Sequence, residues 1–139
     1  MAPVWFGPET LSHSTVSTVA SPVAGTHVPS GDQIVWNWNA VIGATGYKWN
    51  NINDYATAKD MGTTTTKTET GLTAGTTYTR YVWTYNTCGI STVVSLTSQT
   101  LPLSIGLNYC GGIIFYIDGT GQHGLIAATS NQSGGAWGC

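Results

Sequence analysis

The sequence predicts an all-β fold, a sandwich of about seven short strands, and three observations support this prediction. Bulky side chains alternate in the stretch 34–39, where Ile34, Trp36 and Trp38 take every second position, the period of a strand with two unlike faces. The 139 residues include 23 Thr, six Trp and seven Tyr, all residue types that favour strands. Gly, Pro, Asn and Asp recur about every 8 to 12 residues, as the turns of a β-sandwich do.

The pattern places the strands in a simple order along the chain. An edge strand is expected at 18–23, because Pro22 is tolerated where one side of a strand is free. Further strands are expected at 33–41, 46–50, 63–70, 76–85 and 91–100. The segment 51–61 is polar and irregular. The strand at 63–70 is rich in Thr, which predicts a solvated outer face.

Charge is scarce in this chain. Charged residues make up 7% of it; Lys and Arg total four, Asp and Glu total six, and the net charge is −2. Nucleic-acid binding and attachment to an anionic membrane both depend on clustered positive charge, so neither is expected. No apolar run approaches the ~18 residues that span a bilayer, and residues 1–6 lack the basic region that begins a signal peptide. The low charge and the abundant Thr are typical of extracellular β modules and predict a secreted or cell-surface location.

Three motifs resemble those of the fibronectin type III family. Trp38 precedes Tyr47 by nine positions, through the run GATGY, as in that family's B and C strands. The run TGLTAGTTY places Leu72 six residues before Tyr78 and looks like the family's corner between strands E and F. The resemblance implies that the Tyr78 hydroxyl caps the corner backbone while Leu72 packs beneath it. The run NTCGIS resembles the turn between strands F and G, with Gly89 as its glycine.

This resemblance covers roughly residues 18–101 and implies a seven-stranded fibronectin type III-like, that is immunoglobulin-like, sandwich. Within this family, the sequence is most similar to modules that are repeated in large secreted bacterial surface proteins. Residues 1–17 precede the sandwich and are expected to form a tail or a strand exchanged with a neighbouring chain.

Residues 102–139 form a separate C-terminal segment. Within it, the stretch 109–139 resembles the opening of an Lcl-type C-terminal domain, of which the first hairpin is present. The run DGTG at 118–121 is a suitable hairpin turn between two apolar stretches. Because a lone hairpin is marginally stable in water, this one is expected to dock on the sandwich or to pair with another chain.

Three cysteines, Cys88, Cys110 and Cys139, are candidates for a disulfide or for a link between chains. In the related modules a Cys in the E–F corner often pairs with the Cys before the G-x-S turn. Here the corner holds Ala74 and Gly75, which implies that Cys88 lacks that partner. The chain contains no C-x-x-C pair and its three His are scattered, so neither a metal site nor a cofactor is expected.

Aromatic side chains are the candidate ligand-binding groups. Trp36 and Trp38 share one strand face and are expected in the core. Trp49, Tyr55 and Trp83 have polar neighbours and could instead be exposed and stack on a sugar ring. Packing of these rings across neighbouring strands is the simpler interpretation and is favoured.

Acidic side chains offer two weaker hypotheses. Asp54 and Asp60 could belong to a calcium loop, although their spacing fits no known one. Glu69 and Asp118 could form the carboxylate pair of a glycosidase, but a solvated strand face explains Glu69 more simply. Since no nucleophile motif accompanies His123, that residue is expected to be structural. The sequence therefore does not predict an enzyme.

The favoured function is a non-catalytic structural or adhesion module of a bacterial surface or appendage protein. In a specific variant, terminal strands add to the sheet edge of another copy and build a filament. A carbohydrate-binding module is the alternative, and a surface glycan would then be its partner.

Overall fold

The computed structural model describes residues 3, 18–119, 121 and 123–128. All regular elements in this part of the chain are strands, and every pairing is antiparallel. The strands are β1 (Val28–Pro29), β2 (Gln33–Asn37), β3 (Gly46–Asn50), β4 (Lys59–Gly62), β5 (Thr66–Thr70), β6 (Thr77–Asn86), β7 (Gly89–Ile90), β8 (Val94–Gln99), β9 (Asn108–Tyr109), β10 (Gly112–Ile117) and β11 (Gly124–Ala128). These described residues include no helix that could cross a membrane.

The strands in the described part of the chain form three sheets. The first has the order β1-β2-β5, the second has the order β4-β3-β6 with β7 and β8 along the far edge of β6, and the third has the order β11-β10-β9. The first two sheets face each other across one apolar core. A three-stranded sheet opposite a larger one, with this order of strands, is a fibronectin type III-like β-sandwich. The predicted fold class is confirmed.

Three strand predictions are wrong in detail. The stretch 18–23 forms no regular strand; pairing starts with the Ala24–Trp38 bridge and the short β1, because Pro22 and Pro29 cannot donate backbone hydrogen bonds. The polar segment 51–61 leads into β4, which pairs with β3. The last strand, predicted at 91–100, is shorter and forms β8 at Val94–Gln99; the short β7 precedes it, and between them the Thr84 N–H donates to the Ser91 hydroxyl.

The core is built from the inward faces of both sheets. Ile34, Trp36 and Trp38 come from β2 and the residue after it, and Trp36 is 0% exposed. Tyr47, from β3, meets Trp38 edge to face, with the ring centroids 5.9 Å apart. Val82, from β6, is buried in the same cluster. Both tryptophans of the opening alternation are therefore packing residues.

The corner residues have the geometry that the resemblance implies. The Tyr78 hydroxyl accepts a hydrogen bond from the Thr73 N–H at 2.9 Å, and Leu72 is buried beside it. At the turn between β6 and β7, the Asn86 side-chain oxygen accepts hydrogen bonds from the N–H groups of Cys88 and Gly89. Gly89 has a φ of 150°, which favours glycine. These contacts fix both ends of β6.

The third sheet packs on the sandwich of its own chain. A Cβ atom on Gly31 would lie 2.8 Å from a methyl carbon of Leu107 and 3.0 Å from the ring of Tyr109, so a side chain here would displace both of them. The Cys110 N–H donates to the Asp32 carboxylate at 3.3 Å. β9 adds a third strand to the predicted hairpin. Docking and the extra strand together stabilise a hairpin that would be only marginally stable alone.

Candidate functional site

A charged cluster joins the two sheets of the sandwich. Glu69 on β5 receives a bidentate ion pair from Arg80 on β6, with distances of 2.7 Å from Nη2 to Oε1 and 2.8 Å from Nε to Oε2. The indole Nε1 of Trp36 donates to the same carboxylate at 2.9 Å. The side chains of Arg80 and Glu69 are 11% and 18% exposed. The prediction that Glu69 lies on a solvated face is wrong, because β5 turns it inward toward Arg80.

The other acidic side chains are held separately. Asp60 accepts hydrogen bonds from the Tyr85 hydroxyl and from the backbone of Gly62, and the bond from Gly62 is the largest cause that lowers its pKa. Asp54 accepts from the Thr57 hydroxyl at 2.9 Å. Within the described residues, no group of three or more His, Cys, Asp or Glu side chains could hold a metal ion. Asp54 and Asp60, the two carboxylates of the hypothetical calcium loop, are therefore held by different neighbours.

Asp118 lies in the turn of the third sheet, 3.1 Å from Nδ1 of His123. Glu69, by contrast, is engaged between the two sheets of the sandwich by Arg80. Each member of the hypothetical carboxylate pair therefore has its own basic neighbour. The structure does not bring the two acids together.

The candidate sugar-stacking rings do not form an open platform. Trp83 is 5% exposed, so the less favoured alternative, in which it is exposed and stacks on a sugar, does not hold for this ring. The ring of Tyr55 meets it edge to face at 5.8 Å, and Tyr81 lies against it at 6.5 Å. The Lys48 ammonium lies 4.6 Å from the Tyr55 ring centroid. Trp49 is half-buried and packs against the core on the inner face of β3. Trp83 is thus covered by a ring from the segment before β4 and by a ring of its own strand, and Trp49 packs against the core.

The cysteines fall into different environments. Cys88 is a free, exposed thiol in the turn between β6 and β7. Cys110 is disulfide-bonded. Cys139 lies outside the described residues, as do all but residue 3 of the residues 1–17 that are predicted to be a tail or an exchanged strand.

The edges of the two sandwich sheets differ in their protection. β4 carries Lys59 and Asp60, and β5 carries Lys67. β1 has two residues and ends in Pro29. Charges, short length and proline all discourage pairing with another chain. β8 has none of these features.

β8 is a six-residue strand with the sequence VSLTSQ that pairs with β6 on one side. The Thr100 N–H donates to the Thr76 carbonyl on the β6 side. Because backbone groups alternate along a strand, the N–H groups of Ser95, Thr97 and Gln99 point to the other side. No described residue pairs with β8 on that side. Sequence reasoning missed this edge, since the strand order depends on long-range pairing.

His27 supports the opposite sheet and gives a pH-dependent prediction. Its Nδ1 accepts a hydrogen bond from the Asn37 N–H at 3.2 Å, and its ring meets Trp36 edge to face at 5.1 Å. Burial lowers the pKa of His27 below its usual 6.5. The folded state therefore favours neutral His27, whose contribution to stability is present above pH 6.5 and is lost as the pH falls through the lowered pKa.

We expect the melting temperature to fall between about pH 7.5 and pH 5, and the fall to be smaller in His27→Gln. Circular dichroism melts at several pH values measure both effects. His123→Gln, at an exposed imidazole in the third sheet, is the matched control and should keep the full fall. An unchanged slope in His27→Gln would contradict this role for His27.

No family model matches the chain, and no curated protein matches it. Among solved structures it is similar to FN3tt, with 21% identity over 61% of this chain and 97% of that chain and a TM-score of 0.48. A computationally redesigned β-sandwich protein is 24% identical over 64% of this chain and 97% of its own, with a TM-score of 0.49. The sixth fibronectin type III domain of human fibronectin type III domain containing protein 3 is 20% identical over 63% and 90%, with a TM-score of 0.45.

Proposed function

We propose that this chain is a non-catalytic structural module of an extracellular protein, and that copies assemble when a terminal strand of one adds to the β8 edge of another. The observation that carries the proposal is the β8 edge itself. It is uncharged and free of proline, and it offers outward backbone groups at three alternate residues. Backbone hydrogen bonds to such an edge supply affinity in strand addition.

The donor in this proposal is the segment of residues 1–17, of which the structure describes residue 3 alone. Its sequence contains the apolar run Val4-Trp5-Phe6 and, further on, Leu11 and Val16. Apolar side chains on an added strand would select its register, because alternate side chains face the acceptor sheet. An assembly of this kind repeats, since each copy has one donor and one acceptor.

The setting that we propose is a bacterial surface or appendage protein. The resemblance of 18–101 to modules of such proteins, and of 109–139 to the opening of an Lcl-type domain, supports it. So does the scarcity of charge, at 7% of residues, on a chain rich in Thr. In this setting the sandwich would act as a spacer or adhesion unit.

Blocking the β8 edge tests the proposal. Thr97→Pro removes an N–H that points away from β6, so the sandwich should remain folded while strand addition fails. We expect multi-angle light scattering to show assemblies of the parent chain and a monomer, or at most a small oligomer, for Thr97→Pro.

Thr97→Val is the matched control, because it changes the same side chain and keeps the N–H. It should assemble like the parent. Circular dichroism checks that both variants are folded. Assembly of Thr97→Pro to the same size and at the same concentration as the parent would exclude β8 as the acceptor.

A further inference from the structure

Tyr85 lies across the outer face of the second sheet. β6 buries Val82 and Thr84 in the core, so the residues that alternate with them, Tyr85 included, face outward. Tyr85 pairs with Gly46 on β3, and a Cβ atom on Gly46 would lie 2.5 Å from the Tyr85 hydroxyl oxygen and 2.7 Å from its ring atom Cζ. The ring therefore leans over β3, where the missing side chain of Gly46 leaves room for it.

The hydroxyl end of this ring is held by a carboxylate. The Tyr85 hydroxyl donates to Asp60 on β4, at 3.1 Å from Oδ1 and 3.0 Å from Oδ2. The Gly62 N–H donates to Asp60 Oδ1 at 2.7 Å. Tyr85 is half-buried, so part of its ring stays accessible while its far end is fixed. A side chain that is already fixed loses little conformational freedom when a ligand binds to it.

A positive charge completes the cluster. The register places Lys48 on β3 directly opposite Asp60. The Lys48 ammonium lies 4.6 Å from the centroid of the Tyr55 ring. The hydrogen bond from Gly62 is the largest cause that lowers the pKa of Asp60, and the Lys48 charge adds to it, so this carboxylate is ionised at neutral pH. We name Tyr85, Asp60 and Lys48 the outer-sheet patch.

The patch combines three kinds of binding group. The ring of Tyr85 offers an apolar surface. Asp60 is exposed, and its carboxylate has about four acceptor sites, of which the hydrogen bonds from Gly62 and Tyr85 use only part. The Lys48 ammonium supplies donors. Because the carboxylate and the ammonium have opposite charges, a charged ligand would oppose one of them, whereas a neutral ligand with both donors and acceptors fits both.

We propose that the outer-sheet patch binds a neutral pyranose unit of a glycan. A pyranose has an apolar C–H face, which lies on the Tyr85 ring, and each of its hydroxyls both donates and accepts hydrogen bonds. One hydroxyl donates to the Asp60 carboxylate, and a neighbouring one accepts from the Lys48 ammonium. An aromatic ring with a few placed polar groups is the usual lining of a small-molecule site, and hydrogen bonds to charged groups are the stronger ones.

The patch is shallow, and this sets the expected affinity. One ring and two charged groups on an open sheet face bury little of a sugar, so a dissociation constant on the order of 1 mM is expected. Tyr55 is a positioning residue here, because its ring contacts the Lys48 ammonium. β4 lies at one edge of the second sheet and β8 at the other, so the patch stays open when a strand adds to β8. The site therefore does not depend on strand addition.

Saturation-transfer difference NMR tests the site, because it detects weak binding through the signals of the sugar and works on monomers and assemblies alike. The probes are the methyl pyranosides of glucose, galactose and mannose, with maltotriose and cellotriose as glycan fragments. Each is titrated against the full chain. We expect at least one probe to give a saturable signal on its ring C–H protons.

Two substitutions remove different parts of the patch. Tyr85→Leu removes the ring and should weaken binding about tenfold. Asp60→Asn removes the charge, keeps an oxygen that accepts from the Gly62 N–H, and should weaken binding by a similar factor. Tyr85→Phe keeps the ring and should lose less than Tyr85→Leu. Tyr116→Leu, at a 51% exposed tyrosine in the third sheet, is the matched control and should leave binding unchanged.

Circular dichroism checks that each variant is folded, and Asp60→Asn decides alone if Tyr85→Leu is not. The proposal is overturned if none of the five probes gives a saturable signal up to about 50 mM, well above the expected dissociation constant. Equal signals from the parent and from the folded variants would also overturn it, because Tyr85 and Asp60 would then only join β6 to β4. A loss in Tyr116→Leu as large as in Tyr85→Leu would place the binding on the third sheet instead.

Discussion

Replacing Trp36 by alanine is expected to lower the free energy of unfolding by about 3 to 5 kcal/mol, the range for the largest core truncations. Trp36 is 0% exposed, and its ring packs among the side chains that join the two sheets. Its indole N–H also donates to Glu69, so the substitution removes a hydrogen bond from a nearly buried carboxylate. Both losses act in the same direction.

Urea unfolding followed by circular dichroism measures this change. Trp49→Ala is the matched control, because Trp49 packs at the margin of the same core and is half-buried. We expect it to cost clearly less than Trp36→Ala. An equal or larger loss at Trp49 would contradict the assignment of Trp36 to the centre of the core.

Glu69→Leu is expected to cost about 3 kcal/mol, the lower part of the range for breaking a buried ion pair, because both side chains keep some exposure. The substitution leaves the Arg80 guanidinium between the sheets without its bidentate carboxylate. The cost then arises mainly from an uncompensated charge.

The double variant Glu69→Leu with Arg80→Leu separates this cause from lost packing. Removing both charges should restore most of the stability that Glu69→Leu loses, since apolar pairs can replace buried ion pairs at little cost. A double-mutant cycle on urea unfolding measures the coupling. Additive losses in the double variant would show that the ion pair itself contributes little.

Local spacing made the sandwich predictable. The alternation around Trp36, the corner from Leu72 to Tyr78 and the turn at Gly89 are all short-range patterns. In the structure they correspond to a core strand, a hydrogen-bonded corner and a tight turn. β4 was missed because its sequence KDMG has neither alternation nor β-branched residues. It is a strand because β3 has an edge for it to pair with.

The candidate site depends more on long-range contacts. Glu69 was misplaced because its partner Arg80 lies 11 positions away on the opposite sheet. The polar sequence neighbours of Trp83 left its exposure open as an alternative, whereas Tyr55 and Tyr81 cover it in space. The β8 edge was likewise invisible, since a strand becomes an edge only when the whole strand order is set.

Hydrogen exchange at individual β8 amides tests the central claim most directly. The amides of Ser95 and Thr97 point away from β6, whereas those of Leu96 and Ser98 point toward it and serve as an internal reference. In monomers the outward amides should exchange quickly; in assemblies they should become as slow as the inward ones, because an added strand accepts their hydrogen bonds. Outward amides that exchange as fast in the assemblies as in the monomer would contradict strand addition at β8.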